Sequence, residues 1–422
     1  MIESPHPTSK LPDAAGHHRR RVVVTGIGML TPMGMGVNEN AEGFRLGKSA
    51  LRPITLFDTS RMRVHSGGEL SLPGALPDTN LSPRETVRLD RSSKMLLHAA
   101  AEALTQSDWL TEGEERSAAL VFGTSAGAMA LGEDFYRHAL QSRSRRQQPS
   151  RIHGYYPQSQ VLNLCRAFRL RGPLTVIANA CASGANAIGH AASLIRNGRA
   201  ERALCGGYDA LSELVFAGFD ALQALSTTTP RPFAADRDGL ALGEGAAVFT
   251  LESLESAETR GAAILAEVAG YGMSTDIHHL TQPHPDGVAA LQSMNAACAY
   301  AGILPGQIGY INSHGTGTPL NDSAEAHAIT AWAGESQVKQ IRVSSTKGGI
   351  GHLLGGAGAV EAAISILAMN GRWLPPNVQI ESPDPAVAFD LVRSPRDASF
   401  DHCMTNSFGF GGANATVVFR KC

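Results

Sequence analysis

Cysteine is scarce and scattered: Cys165, Cys181, Cys205, Cys298, Cys403 and Cys422 form no C-x-x-C pair. The common zinc and dithiol signatures are therefore missing, no metal is expected at the site, and a reducing, cytoplasmic compartment fits best. Charge of one sign is also lacking. With 36 Lys+Arg against 38 Asp+Glu the formal net charge is -2, so no field argues for nucleic acid or an anionic membrane surface. No apolar run approaches membrane-spanning length, and Met1–Arg20 has no continuous apolar core of the signal-peptide kind. Residues 1–20 are expected to be a flexible tail. What remains is a globular composition, 43% hydrophobic and 18% charged, in a chain long enough for one large or two medium domains.

Order is expected to begin at Arg21-Val-Val-Val-Thr-Gly-Ile-Gly28, a β-branched run closed by glycines. Strand-like runs recur at Ala118–Gly123, Leu174–Ala178 and Ala203–Gly206, with helical composition at Leu89–Leu104 and Ser183–Asn197. Such alternation implies βαβ units around mostly parallel sheets. A second series runs through Ala246–Leu251, Ala262–Tyr271, Ile308–Asn312, Ile341–Ser345 and Ala415–Phe419, which hints at a duplicated half. No low-complexity linker intervenes, so the halves are expected to pack as one body.

Three glycine motifs imitate other chemistries. Gly26-Ile-Gly28 follows a strand as a dinucleotide fingerprint does, but Thr31 holds the last position of G-x-G-x-x-G/A and Pro32 follows. Gly47-Lys-Ser49 ends like a P-loop, yet Gly43 is one residue too close. Gly123-Thr-Ser-Ala-Gly127 satisfies G-x-S-x-G after an apolar run, and makes a serine hydrolase with Ser125 as nucleophile the competing hypothesis. That fold wants an acid and then a histidine late in the chain; His402 directly follows Asp401, and nothing marks it as catalytic. A glycine-rich turn that lets backbones pack closely is the plainer account.

Four other segments carry chemistry. Ile177-Ala-Asn-Ala-Cys181-Ala-Ser-Gly184 joins a strand to an Ala-rich helix, where the helix dipole and free N–H groups favour a thiolate. Tyr310-Ile-Asn-Ser-His314-Gly-Thr-Gly-Thr318 opens a strand into a loop that can aim an imidazole and the hydroxyls of Thr316 and Thr318 into a site. Val343-Ser-Ser-Thr-Lys347-Gly-Gly-Ile-Gly-His352 runs from a strand into a second glycine-rich turn. Asn406-Ser-Phe-Gly-Phe410-Gly-Gly-Ala-Asn414 offers backbone N–H groups between the apolar walls Phe408 and Phe410. Taken singly, each has a bland reading: a packed cysteine, satisfied core histidines, a surface lysine, a β-bulge.

Together and in this order, these segments closely resemble the β-ketoacyl-[acyl carrier protein] synthases, especially type II, within the thiolase superfamily of condensing enzymes. The resemblance extends through Ala224-Leu-Ser226, Arg231–Gly239 and Gly355–Glu361. It implies a thiolase-like α/β fold, duplicated halves in a five-layer α/β/α/β/α arrangement, with 21–260 carrying the nucleophile and 261–422 the histidines. It further implies that Cys181 accepts an acyl chain from carrier-protein phosphopantetheine, while the Cys181 and Phe410 N–H groups form the oxyanion hole. His314 and His352 would then stabilise the enolate formed as malonyl-carrier protein loses CO₂, in fatty acid or specialised polyketide or polyene synthesis.

Lys347 is implied as a charge organiser paired with Asp322 or Glu325, Thr316 and Thr318 as anchors for the pantetheine arm or malonyl group, and Phe410 as a gate. No metal or redox cofactor is implied beyond a structural monovalent cation that some members hold near the equivalents of Asn312, Glu361 and Asn406. The expected partners are acyl carrier protein and a second copy in a homodimer, or a chain-length-factor-like subunit in a heterodimer, with no nucleic acid and no membrane. A silent chain-length factor is the third hypothesis, opposed by the presence of Cys181.

Departures are local. Asn179 stands where relatives often carry Thr, and Tyr208-Asp209 replaces the usual Ala-Glu pair, neither expected to touch the chemistry. Ala126 stands where a bulkier aliphatic residue commonly closes the acyl tunnel, which predicts room for longer or more rigid acyl groups. The basic stretch Arg143–Arg151 is also atypical.

Overall fold

The computed structural model describes residues 20–109, 116–141 and 152–422; nearly all of the expected tail, and the basic stretch Arg143–Arg151, lie outside the described residues. The first half runs through β1 (Val22–Thr31), α1 (Arg91–Gln106), β2 (Ala119–Gly123), α2 (Pro157–Phe168), β3 (Leu174–Ile177), α3 (Ser183–Arg196), β4 (Arg202–Asp209) and β5 (Gly245–Ser253). The second repeats the series as β6 (Ala266–Thr275), α4 (Val288–Ala301), β7 (Tyr310–Asn312), α5 (Pro319–Ala333), β8 (Arg342–Ser344), α6 (Ala357–Gly371), β9 (His402–Phe408) and β10 (Ala413–Arg420).

Strand order makes the duplication explicit: β3-β2-β4-β5-β1 in one half and β8-β7-β9-β10-β6 in the other. The two are joined where β1 meets β6 antiparallel, Val23 opposite Glu267 and Val24 opposite Ala266. The sheet is mixed rather than mostly parallel. Pairs β2–β3, β2–β4, β7–β8 and β7–β9 are parallel, whereas β4–β5, β5–β1, β9–β10 and β10–β6 are antiparallel. The short turn Gly409–Gly412 between β9 and β10 allows only an antiparallel return, since a parallel one needs a crossover.

Five layers follow from the packing. α1 covers β1 and β5 on one outer face, α4 covers β6 and β10 on the other, and α3 and α6 lie between, touching each other and strands of both halves. The middle layer can be this thin because α3 and α6 are rich in alanine and glycine. A Cβ at Gly184 would sit 2.8 Å from Gly355 O, and one at Gly358 only 2.8 Å from Ala185 N; glycine is required there for the helices to cross. Against the expectation that no apolar run approaches membrane-spanning length, the segment Leu354–Gly371 is long and apolar enough to cross a membrane, but it is mostly buried inside the fold.

The nucleotide-like glycines have the same explanation. A Cβ at Gly26 would lie 2.2 Å from Ala103 O and one at Gly28 1.9 Å from Ala99 O, so both let α1 rest directly on β1.

Candidate active site

Cys181 lies in the single 3₁₀ turn Ala180–Ala182 that feeds into α3. The turn is tightened by Ser183, whose Oγ donates to Ala180 O at 2.6 Å and accepts from Asn179 N at 3.0 Å. Ala180 is thereby held at φ 55°, a left-handed conformation rare for a residue with a side chain, and Cys181 is presented at the head of the helix. Gly409 passes close by: a Cβ there would approach Cys181 N to 3.2 Å and Asn179 O to 3.1 Å. The next residue, Phe410, points its backbone N–H at the Cys181 sulfur.

His314 leaves β7 under a carboxylate clamp. Its N–H donates to Glu325 Oε1 at 2.8 Å and Gly315 N–H to Glu325 Oε2 at 2.7 Å. Asp322 does the same for the next residues, accepting from Thr316 N at 3.0 Å and Gly317 N at 3.1 Å, which brings the Thr316 and Thr318 hydroxyls within 2.9 Å of each other. His352 is stitched to the first half: its N–H donates to Ala241 O at 2.7 Å and its carbonyl accepts from Gly243 N at 2.9 Å. Gly351 before it adopts φ 80°, where a Cβ would meet Leu242 O at 2.7 Å.

These segments converge. Cys181 Sγ and a ring nitrogen of each of His314 and His352 lie within 4.8 Å of one another, all buried. The imidazoles stand edge to face with centroids 5.3 Å apart, and Phe408 packs on His314 at 5.6 Å. A cavity of about 360 Å³ opens onto them, lined also by Thr316, Thr318 and Phe410. His352 Nδ1 accepts from Leu354 N at 3.0 Å, so the neutral ring carries its proton on Nε2, a buried atom without a partner among the described residues. His314 Nδ1 is likewise unpartnered.

Electrostatics favour neutral imidazoles. Burial, with the Lys347 ammonium second, holds both histidines well below their ordinary range. The thiol does not follow the helix-dipole expectation: burial pushes Cys181 up to about 11, with Lys347 and the Phe410 N–H pulling the other way. At rest the site is therefore a thiol beside two neutral rings.

Other expected residues stand further back. Lys347 is buried and does not line the cavity; it forms an ion pair with Glu361, not with Asp322 or Glu325. Those carboxylates are already taken, Asp322 by backbone N–H groups and Arg237, and Glu325 by the His314 turn and Asn406. Ala126 belongs to a hydrophobic cluster with Ile54, Val64, Leu211 and Phe216. That cluster reaches the cavity through Leu240 and Phe219. Phe219, which motif reading could not single out, stacks on Phe410 at 5.8 Å and 13°. Ser125 is exposed, and His402 is on β9 in the other half, accepting from Arg420, so the hydrolase geometry is not formed.

Comparison with known proteins identifies the family. Residues 19–257 match the family model "Beta-ketoacyl synthase, N-terminal domain" and 265–381 match "Beta-ketoacyl synthase, C-terminal domain". The 3-oxoacyl-[acyl-carrier-protein] synthase 2 of Vibrio cholerae serotype O1 is 37% identical over 96% of this chain and 99% of its own. Among solved structures, the ishigamide ketosynthase/chain length factor is similar with a TM-score of 0.89 and 32% identity, over 96% of this chain and 100% of that one. The AntDE:AntF structure, a type II PKS acyl-carrier protein in complex with its ketosynthase, is similar with a TM-score of 0.84 and 28% identity over the same shares. The chain thus has full-length relatives, and it belongs to the β-ketoacyl synthase family.

Proposed function

We propose that this chain is a β-ketoacyl-[acyl carrier protein] synthase in which Cys181, His314 and His352 perform acyl transfer and decarboxylative condensation. The observation that carries the reading is the convergence of one thiol and two neutral imidazoles on a single cavity. In the first half-reaction the Cys181 sulfur attacks the acyl thioester of a carrier protein. The new C–S bond forms as the pantetheine thiol leaves, and the Cys181 proton passes by way of a neighbouring imidazole to that thiol. The Phe410 N–H that faces the sulfur is placed to stabilise the carbonyl oxygen as it gains charge.

In the second half-reaction malonyl-carrier protein loses CO₂, and the electron pair becomes an enolate that attacks the acyl-Cys181 carbonyl and expels the thiolate. Two neutral N–H donors suit the enolate oxygen, because they stabilise its charge without giving up the proton. Thr316 and Thr318 would hold the pantetheine arm or malonyl group, Phe410 would gate the cavity, and Lys347 would set the charge balance from behind.

The likeness to a ketosynthase bound to acyl-carrier protein supports that partner, with the phosphopantetheine arm as the delivered group. The likeness to a ketosynthase/chain length factor pair supports a heterodimer beside the homodimer; with Cys181, His314 and His352 all present, this chain would be the active subunit. A cytoplasmic location belongs to the same reading. The cation fits in part: Asn312 Oδ1 and Glu361 Oε2 are buried without partners among the described residues, but the Asn406 amide is engaged by Glu325 and Thr416.

The test is intact mass after incubation with acyl-carrier protein, comparing the native chain, Cys181→Ala and Ser125→Ala. Acyl mass is expected on the native chain and Ser125→Ala only. Acyl mass that survives in Cys181→Ala and vanishes in Ser125→Ala would sink the reading and restore the hydrolase.

A further inference from the structure

We propose that Asp209 is a positioning residue that ties the acyl side of the site, at Ala126, to the condensation side, at His352. The inference rests on the ketosynthase reading above and adds to it a single carboxylate serving both half-reactions. Asp209 ends β4 and is fully buried, and hydrogen-bond donors surround it. Its Oδ1 accepts from Thr124 Oγ1 at 2.6 Å, Ala126 N at 2.8 Å and Gly127 N at 2.8 Å. Its Oδ2 accepts from Ser125 N at 2.8 Å and Gly355 N at 2.6 Å.

The two oxygens divide the work. Oδ1 holds the loop that carries Ala126, the residue in the hydrophobic cluster behind the cavity. Oδ2 adds Ser125 N of that loop and alone holds Gly355, whose neighbour Leu354 donates its N–H to His352 Nδ1 at 3.0 Å and so sets that ring's tautomer. The loops are pressed together at this point: a Cβ on Gly355 would lie 2.5 Å from Ser125 N. A carboxylate with only donors around it is satisfied as the anion alone, since a protonated oxygen would face an N–H with its own hydrogen.

That asymmetry makes the two roles separable. In Asp209→Asn the amide oxygen is best placed in the three-donor position, which puts the NH₂ group against Ser125 N and Gly355 N. Three of the four bonds on the acyl side are retained, that of Ser125 N is lost, and the His352 side is released. Thr124→Val does the reverse, deleting one Oδ1 bond and leaving Gly355 alone.

The experiment scores loading of Cys181 from carrier proteins bearing short to long acyl groups by intact mass, and separately the condensation of preloaded enzyme with malonyl-carrier protein. Thermal melting confirms folding. Asp209→Asn is expected to load with the native chain-length ranking and to condense about ten- to a hundredfold more slowly. Thr124→Val is expected to change the ranking with condensation of preloaded enzyme intact, and it decides the matter if Asp209→Asn does not fold. Equal losses in both steps, or none in either variant, would overturn the proposal and leave the ketosynthase reading standing. A native enzyme that never loads Cys181 would overturn that reading and the proposal with it.

Discussion

Lys347 and Glu361 form an ion pair whose side chains are only 2% and 3% exposed, close enough to the imidazoles that the ammonium depresses both histidines. Burial pushes Glu361 up to about 7 against the pull of Lys347, so the pair is held in place under tension between desolvation and attraction.

Removing the lysine should therefore have two effects. Lys347→Met leaves a buried carboxylate without its cation, an expected loss of about 3–5 kcal/mol at the strongest. Glu361 already holds its proton more tightly folded than unfolded, so its contribution to stability is present below about 4.5 and is lost as pH rises through about 7. The loss in Lys347→Met should accordingly deepen with rising pH. At the same time His314 and His352 lose a depressing charge, so the acid limb of the condensation profile should move to higher pH. Denaturant titrations at several pH values, and pH–rate profiles, check the two halves; restoration of stability in Lys347→Met/Glu361→Gln tests the cause.

Much of this was legible in the sequence. Strands such as Val22–Thr31 and Arg202–Asp209 announce themselves because their apolar, β-branched or glycine residues are wholly buried, and the site motifs stand at strand exits where backbone can turn into a cavity. Charge partners were not legible. Nothing in the local sequence distinguishes Glu361 from Asp322 or Glu325 as the mate of Lys347, because the choice is made by which carboxylates the backbone N–H groups have already taken. Asp209 followed a glycine pair and was expected to be inert, yet its bonds join residues from opposite halves. Phe219 meets Phe410 only through tertiary packing, and the Cys181 thiol was misjudged because local helix geometry is visible in sequence and burial is not.

That last point is measurable. With the thiol at about 11, the thiolate fraction rises roughly tenfold per pH unit through the neutral range. Alkylation of Cys181 by iodoacetamide, followed by peptide mass, should accelerate steadily from pH 7 to well above pH 9. A plateau near pH 8 would contradict the burial argument.

The two histidines should separate the half-reactions. His314→Ala and His352→Ala each remove one donor from the enolate, so condensation is expected to fall by about 10²–10³ per donor, with Cys181 still becoming acylated. Because both rings titrate well below their ordinary range, native condensation should hold its rate down to a pH well under 6.5. Stopped-flow release of CO₂ alongside intact mass distinguishes the steps, and loss of acylation in both folded variants would reassign the histidines.

Ala126 sets the remaining question, the acyl cargo. Its cluster is already lined by Ile54, Val64, Leu211 and Phe216 and leads toward the cavity through Leu240 and Phe219. Replacing a methyl by a sec-butyl group in Ala126→Ile puts three more carbons into that space, at a stability cost of about 1–3 kcal/mol if the core cannot relax. If acyl groups extend past this position, long chains should lose loading rate far more than short ones, and the lost volume sets where the ranking breaks. Competition between carrier proteins bearing acyl groups of different length, scored on Cys181 by mass, gives that ranking directly. An unchanged ranking in a folded Ala126→Ile variant would mean that the acyl chain takes another route from the cysteine, one that leaves the Ala126 cluster as ordinary core.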